Sequence, residues 1–261
     1  KSDRYSIDLT IDDVLHEYVH AYVKSKTLIL ELDEKAIPKE VRKLYKGRGV
    51  EGAVLKAEVY MPVVNGINLE EGAILSAPGD FPSDGFELNM AGSSILKSLS
   101  IESRAGAVIN LKKKCTAVLS VSAEKDIEVN TANTSDLSLV QDCVNLVINS
   151  KGVTGGTVSA SGDANEIKVN ADGSAKVTLT GKTDKLTVDG KGAANIDALN
   201  LKTPVCSAVL REAAKLTEAA TENLSIDIAG ASSVVFDESP VFEIIQVKNS
   251  SVLKYAASDK K

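Results

Sequence analysis

His16-Glu17-Tyr18-Val19-His20 fits the pattern H-E-x-x-H letter for letter. On a helix the two imidazoles share one face and hold zinc, with the glutamate as general base toward a zinc-bound water. A third ligand would have to be an acid such as Glu31 or Glu40, because the chain has only these two His. Glu31 falls in a predicted strand, and Glu40 sits in a polar loop just after Pro38. The helical window is short, lies between strands and contains the β-branched Val14, Val19 and Val23, which resist helix. A zinc metalloprotease acting through His16, Glu17 and His20 is therefore the weaker alternative. No metal ligand, no cofactor and no catalytic residue is expected.

Other reactive side chains are scattered. Asp126, Asp136 and Asp142 are close in sequence but fall at different phases of the pattern described below, so no paired carboxylate on neighbouring coils is expected. Cys115, Cys143 and Cys206 show no CxxC spacing for a metal. Their phases place them apart, so no disulfide is expected and each reads as a small buried hydrophobe. Asn130, Asn149, Asn170, Asp189 and Asp227 recur at one position. Such a column can hold corners or bond along a stack. Calcium repeats need denser Gly and Asp than this. Lys112, Lys113 and Lys114 form a positive run expected to be a solvated corner.

The elements that must carry these residues are repeats. One apolar series runs Leu88, Val108, Ile127, Leu146, Ile167, Leu186, Val205, Leu224, Ile244, in steps of 19 to 21 residues. A second runs Ile101, Val121, Leu139, Val158, Val177, Ile196, Leu216, Val235, Leu253. A fixed period of this length marks a solenoid. Runs such as Ile167-Lys168-Val169 and Leu224-Ser225-Ile226 alternate, which is the strand period. The fold class is therefore all-β: a parallel β-helix over 86–256, about 43 Å long at one strand spacing per coil. A sandwich has no reason to keep one period nine times. Residues 1–85 are read as an irregular strand region that opens the solenoid, within a single domain 1–261. Tyr5 to Ile11, Thr27 to Leu32 and Val54 to Met61 are its strands, with one more short strand within Ile67 to Leu75. Gly47, Gly49 and Gly52 mark a loop, and Lys39 to Lys46 a solvated excursion.

Composition narrows the function. Net charge is −6 and aromatics are 4%, with no Trp. An acidic balance disfavours nucleic acid, and a narrow coil interior has little room for large rings. No run is long enough to span a membrane. The chain lacks an initiating Met and shows no signal peptide, so an export segment removed from a precursor is expected.

Leu224 to Ser233, Leu-Ser-Ile-Asp-Ile-Ala-Gly-Ala-Ser-Ser, is the clearest unit, and its glycine-serine turn recurs at Ala91-Gly92-Ser93-Ser94 and, in variant form, at Ala171 to Ala175 and Lys248 to Ser251. It resembles the head domain of auto-transporter adhesins, the GIN or DUF2807 family of surface proteins common in Bacteroidetes. The resemblance covers about Tyr5 to Ala256. It implies a right-handed β-helix and an exported protein, at the periplasm or outer-membrane surface of a Gram-negative bacterium. It offers no catalytic residues. The expected function is a non-enzymatic surface module that binds a protein or glycan. The rival is a polysaccharide-acting β-helix enzyme, for which no convergent acids or aromatic sugar platform stand out.

Overall fold

The computed structural model describes residues 3–46, 52–152 and 155–256. Two compact units divide at Pro62 and Val63. In the first, Ser6–Ile11 pairs antiparallel with Leu55–Tyr60, and Val19–Lys24 with Thr27–Leu32. Ser25 and Lys26, both at positive φ (50° and 65°), turn the second pair, as a two-residue hairpin requires. Two sequence expectations change here. The window after Asp12 is a 3-10 helix, Asp13–Tyr18, followed at once by strand. The excursion at Lys39 is a short α-helix, Lys39–Leu44, whose Arg42 donates from Nε to the Ile37 carbonyl at 2.9 Å. The loop at Gly47 and Gly49 lies outside the described residues.

The second unit is a parallel β-solenoid. Each coil contributes two strand segments, one to each of two walls, and every pairing within the stack is parallel. Stacking starts at Gly66–Leu69, one coil ahead of Phe86, and runs to Val252–Tyr255. Pro78 lies inside the strand Ile74–Ser83, within a register shift between Ser76 and Asp80. Proline is tolerated at such irregularities because a ladder bond is already missing.

The core is made of stacked columns, and their membership corrects the two apolar series. On the first wall Phe86, Ala107, Ile127, Leu146, Ile167, Leu186, Cys206 and Leu224 are in register and buried. Val108 and Val205 are their outward neighbours, and Leu88 belongs to a separate inward column with Ile109 and Val129. On the second wall the expected series crosses three columns. Ile101 and Val121 share one, Leu139 stands with Leu119 and Ala160, and Val158, Val177, Ile196 and Leu216 stack with Val234 rather than Val235. On the first wall the reason is the two-residue strand period: a one-residue error in phase moves a side chain to the opposite face. On the second wall the slips at Leu139 and Val158 are of two residues and stay on the inward face. Small inward residues such as Ala107 and Cys206 hid the true phase from a search for large aliphatics.

One corner is the same in successive coils. Gly92, Lys113, Asn133, Gly173, Gly192, Glu212, Gly230 and Asn249 all have positive φ, between 59° and 82°. A Cβ at Gly230 would come within 2.5 Å of the Glu212 carbonyl oxygen, so glycine is needed there for stacking as well as for φ. Just beyond the left-handed residue, Ser94, Cys115, Ser135, Ala175, Ala194, Ala214 and Ser232 are fully buried. Ser135 Oγ donates to the Ala132 carbonyl at 3.0 Å, and Ser232 Oγ to Ala229 at 2.8 Å. Cys115 Sγ makes the same bond to Lys112 at 3.0 Å. The glycine-serine turn is thus a local clamp: the hydroxyl satisfies a carbonyl that the bend would strand.

Candidate functional site

The outward face of the first wall carries an asparagine ladder. Asn68, Asn89, Asn110, Asn130, Asn149 and Asn170 are in register on successive coils. Each Nδ2 from Asn89 onward donates to the Oδ1 of the asparagine one coil earlier, at 2.9, 2.9, 3.0, 2.9 and 2.7 Å. The sequence pattern identified Asn130, Asn149 and Asn170, and the structure extends the column toward the N-terminus. It sits in mid-strand rather than at a corner. Asp189 follows in register and cannot donate, so the ladder ends there. Asp227 lies beyond Val209 and pairs with Arg211 at 2.7 Å.

Beside the ladder runs an open groove of about 610 Å³. Lys112, Ala132, Lys151, Asp172 and Lys191 line its length. Lys112, Ala132, Lys151 and Asp172 are in register. Lys191 follows Gly190, the partner of Ala171, and its N–H bonds to the Ala171 carbonyl at 2.9 Å. The lysine run thus resolves into separate roles. Lys113 takes the left-handed corner, and Lys112 stands in the groove.

A second groove, about 830 Å³, lies at another corner. Here the structure corrects an expectation: Asp142 and Asp163 are register partners on neighbouring coils, followed by Lys182 and Lys202. The two partners are 21 residues apart, one coil, so no local pattern joins them. Asp163 Oδ1 accepts the Lys182 backbone N–H at 3.0 Å. None of the residues lining the groove is aromatic. Gly162 and Gly181, at φ 137° and 118°, bend the backbone here.

The H-E-x-x-H residues do not share a helix face. His16 and Glu17 lie in the 3-10 helix and His20 in the strand Val19–Lys24, all exposed. His20 is paired in register with Glu31, across the hairpin. Among the described residues no three His, Cys, Asp or Glu side chains are grouped to hold a metal ion. Also among the described residues, no helix is long and apolar enough to cross a membrane.

The thiols are buried and free. Cys115 occupies the serine position of the corner. Cys206 faces inward between Leu186 and Leu224, so it is the core residue where Val205 was expected. Burial, then the nearby Glu218 carboxylate, pushes its pKa well up. Cys143 donates to Gln141 Oε1 at 2.9 Å, and burial pushes its thiol up to about 12. Such thiols are poor nucleophiles. Sequence inspection did not single out Glu218. It is fully buried, with Oε2 accepting the Ala220 N–H at 2.6 Å and Oε1 unpartnered among the described residues. Burial raises its pKa to about 7. It stands in register with Ala198 and Phe236.

Comparison with known proteins follows this geometry. No curated protein matches the chain. A solved structure described as "putative adhesin from Parabacteroides distasonis ATCC 8503" is similar at 15% identity and a TM-score of 0.44, over 97% of this chain and 85% of that one. The family model described as "Putative auto-transporter adhesin, head GIN domain" matches residues 1–118 and 97–240. These matches span most of the sequence, and the chain belongs to the DUF2807 family.

Proposed function

We propose that this chain is a non-enzymatic binding module displayed at the cell envelope, exported to the periplasm or outer-membrane surface of a Gram-negative bacterium. The ligand-binding surface is the outward face of the first strand wall, and the ligand is an extended glycan or protein segment. One observation carries this reading: the uninterrupted asparagine ladder from Asn68 to Asn170, with an open groove along part of its length. Repetition builds a long surface rather than one enclosed pocket. The family description supports an adhesive role and an external location. The acidic net charge of −6 argues against nucleic acid as partner.

A second reading is favoured by Asp142 and Asp163. Two carboxylates on adjacent coils beside lysines are the raw material of polysaccharide cleavage. Protease shaving of intact cells, combined with a glycan array and analysis of polymer length after incubation, tests both. The binding-module reading expects an envelope-exposed chain that retains glycans without shortening them. A cytosolic chain would overturn it. Shortened polymer, lost in Asp142→Asn and Asp163→Asn, would establish the enzyme instead.

A further inference from the structure

We propose that the groove beside the asparagine ladder binds a linear acidic polysaccharide carrying one carboxylate per disaccharide, laid along the coil stack. This rests on the glycan-binding reading above and names the class of glycan.

The order of charges along the groove carries the inference. Successive coils present Lys112, Ala132, Lys151, Asp172 and Lys191 in one column: a cation, a neutral residue, a cation, an anion and a cation, with Asp189 at the end of the ladder column as the second anion lining the groove. Coils stack at the strand spacing, so the cations recur about every 10 Å and the five positions span about 19 Å. A hexose in an extended chain advances by about one coil. A polymer in register with the stack therefore meets one side chain per sugar, and a cation at every second sugar.

The intervening positions select against denser charge. A carboxylate on every sugar would place one against Asp172, whose Oδ1 is held by the Gly173 N–H at 2.7 Å. Like charge at a fixed position is the repulsive element that specificity needs. Ala132 leaves space for a neutral sugar. The lysines are available. Lys112 and Lys151 form no ion pair among the described residues, and Lys191 meets Glu212 only at 3.8 Å, where both side chains are exposed and the pair is weak.

The ladder supplies the other half of the surface. Its amides are held by one another, so little side-chain entropy is lost on binding. Asn89 and Asn130 use a second amide hydrogen on Glu87 and Glu128. Asn110 and Asn170 each donate only to the preceding asparagine among the described residues, which leaves an amide hydrogen for a sugar hydroxyl. No aromatic side chain lines the groove, so charge and hydrogen bonds rather than stacking hold the ligand.

The test uses the full chain and three octasaccharides in low salt: hyaluronan, with one carboxylate per disaccharide; oligogalacturonate, with one per sugar; and chitin oligomer, with none. Hyaluronan is expected to bind best, and more weakly as salt is raised. Lys112→Ala combined with Lys151→Ala should weaken it by about tenfold or more, with an unchanged melting temperature. Asp172→Asn should improve oligogalacturonate binding. Equal binding of hyaluronan and oligogalacturonate, or indifference to the double lysine change, overturns the proposal. If neutral glycans alone bind, this inference fails while the glycan-binding reading stands. If no glycan on a broad array binds, this inference and the glycan branch of that reading both fail, and a protein segment is left as the ligand.

Discussion

Glu218 is the residue at which chemistry and stability meet. Burial raises its folded pKa from the ordinary 4.5 to about 7. The folded state therefore keeps a proton that the unfolded chain releases once pH exceeds 4.5. Stability is highest below that value and falls as pH rises to about 7, by up to about 3 kcal/mol, after which the loss is constant. Glu218→Gln is expected to remove this component and to be the more stable protein at pH 8. Denaturant melts of both proteins at pH 4.5, 6 and 8 check it, and a constant difference between them would show that Glu218 is charged when buried. Asn130 is a second residue-scale case. It donates to Asn110 and accepts from Asn149. Asn130→Ala breaks both ladder bonds, leaving half-buried amides on each side, and also the exposed bond to Glu128, which water can replace. A loss of about 2 kcal/mol is expected at roughly 1 kcal/mol per net hydrogen bond. A melt within error of the wild type would mean that water replaces the ladder at no cost.

At the scale of the element, corners decide more than strands do. The strand Thr157–Gly173 runs through a bend at Gly162 without losing parallel pairing to the next coil. A Cβ on Gly162 would fall on the Gln141 carbonyl, and φ 137° is a region that L side chains avoid. Gly162→Ala must shift backbone in two coils. It should cost more than about 3 kcal/mol, in the range of strained backbone plus overpacking. Gly52, with open space around it, is the control. Gly52→Ala should leave the melting temperature nearly unchanged. Comparable losses at both positions would show that the bend is not the constraint.

The solenoid as a whole is a one-dimensional stack, so the cost of a cavity should depend on position along it. Leu186 is fully buried between Ile167 and Cys206, with coils on both sides. Leu253 pairs with Val234 on one side and is partly exposed. Leu186→Ala should cost about 2–5 kcal/mol, and Leu253→Ala distinctly less, because the last coil can fray. Equilibrium denaturation of the two variants checks the order, and equal losses would mean a shared core rather than a stack. At the last coil Phe236, Phe242 and Tyr255 cluster, with ring centroids 4.9 and 5.4 Å apart, a local concentration of the chain's few aromatics.

Period, strand character and stacking were legible in the sequence because a coil of nearly constant length must return an apolar residue to the core once per turn. Asn130, Asn149 and Asn170 were legible for the same reason: identical side chains in register satisfy one another, so the type repeats with the coil. Phase was not legible. Val108 and Val205 look like core residues, yet Ala107 and Cys206 are the ones inside, and only the pairing register separates two neighbours that point to opposite faces. Nor were the juxtapositions across coils visible. Asp142 meets Asp163, and Lys112, Lys151 and Lys191 share a groove, because parallel stacking brings together residues about twenty positions apart. The H-E-x-x-H motif shows the reverse. Its letters were in place, but the chain turns extended at Val19, and a short helix between two strands cannot present His16 and His20 on one face. Local pattern fixes what a residue tends to do; which residues meet is set by register, and register belongs to the tertiary structure.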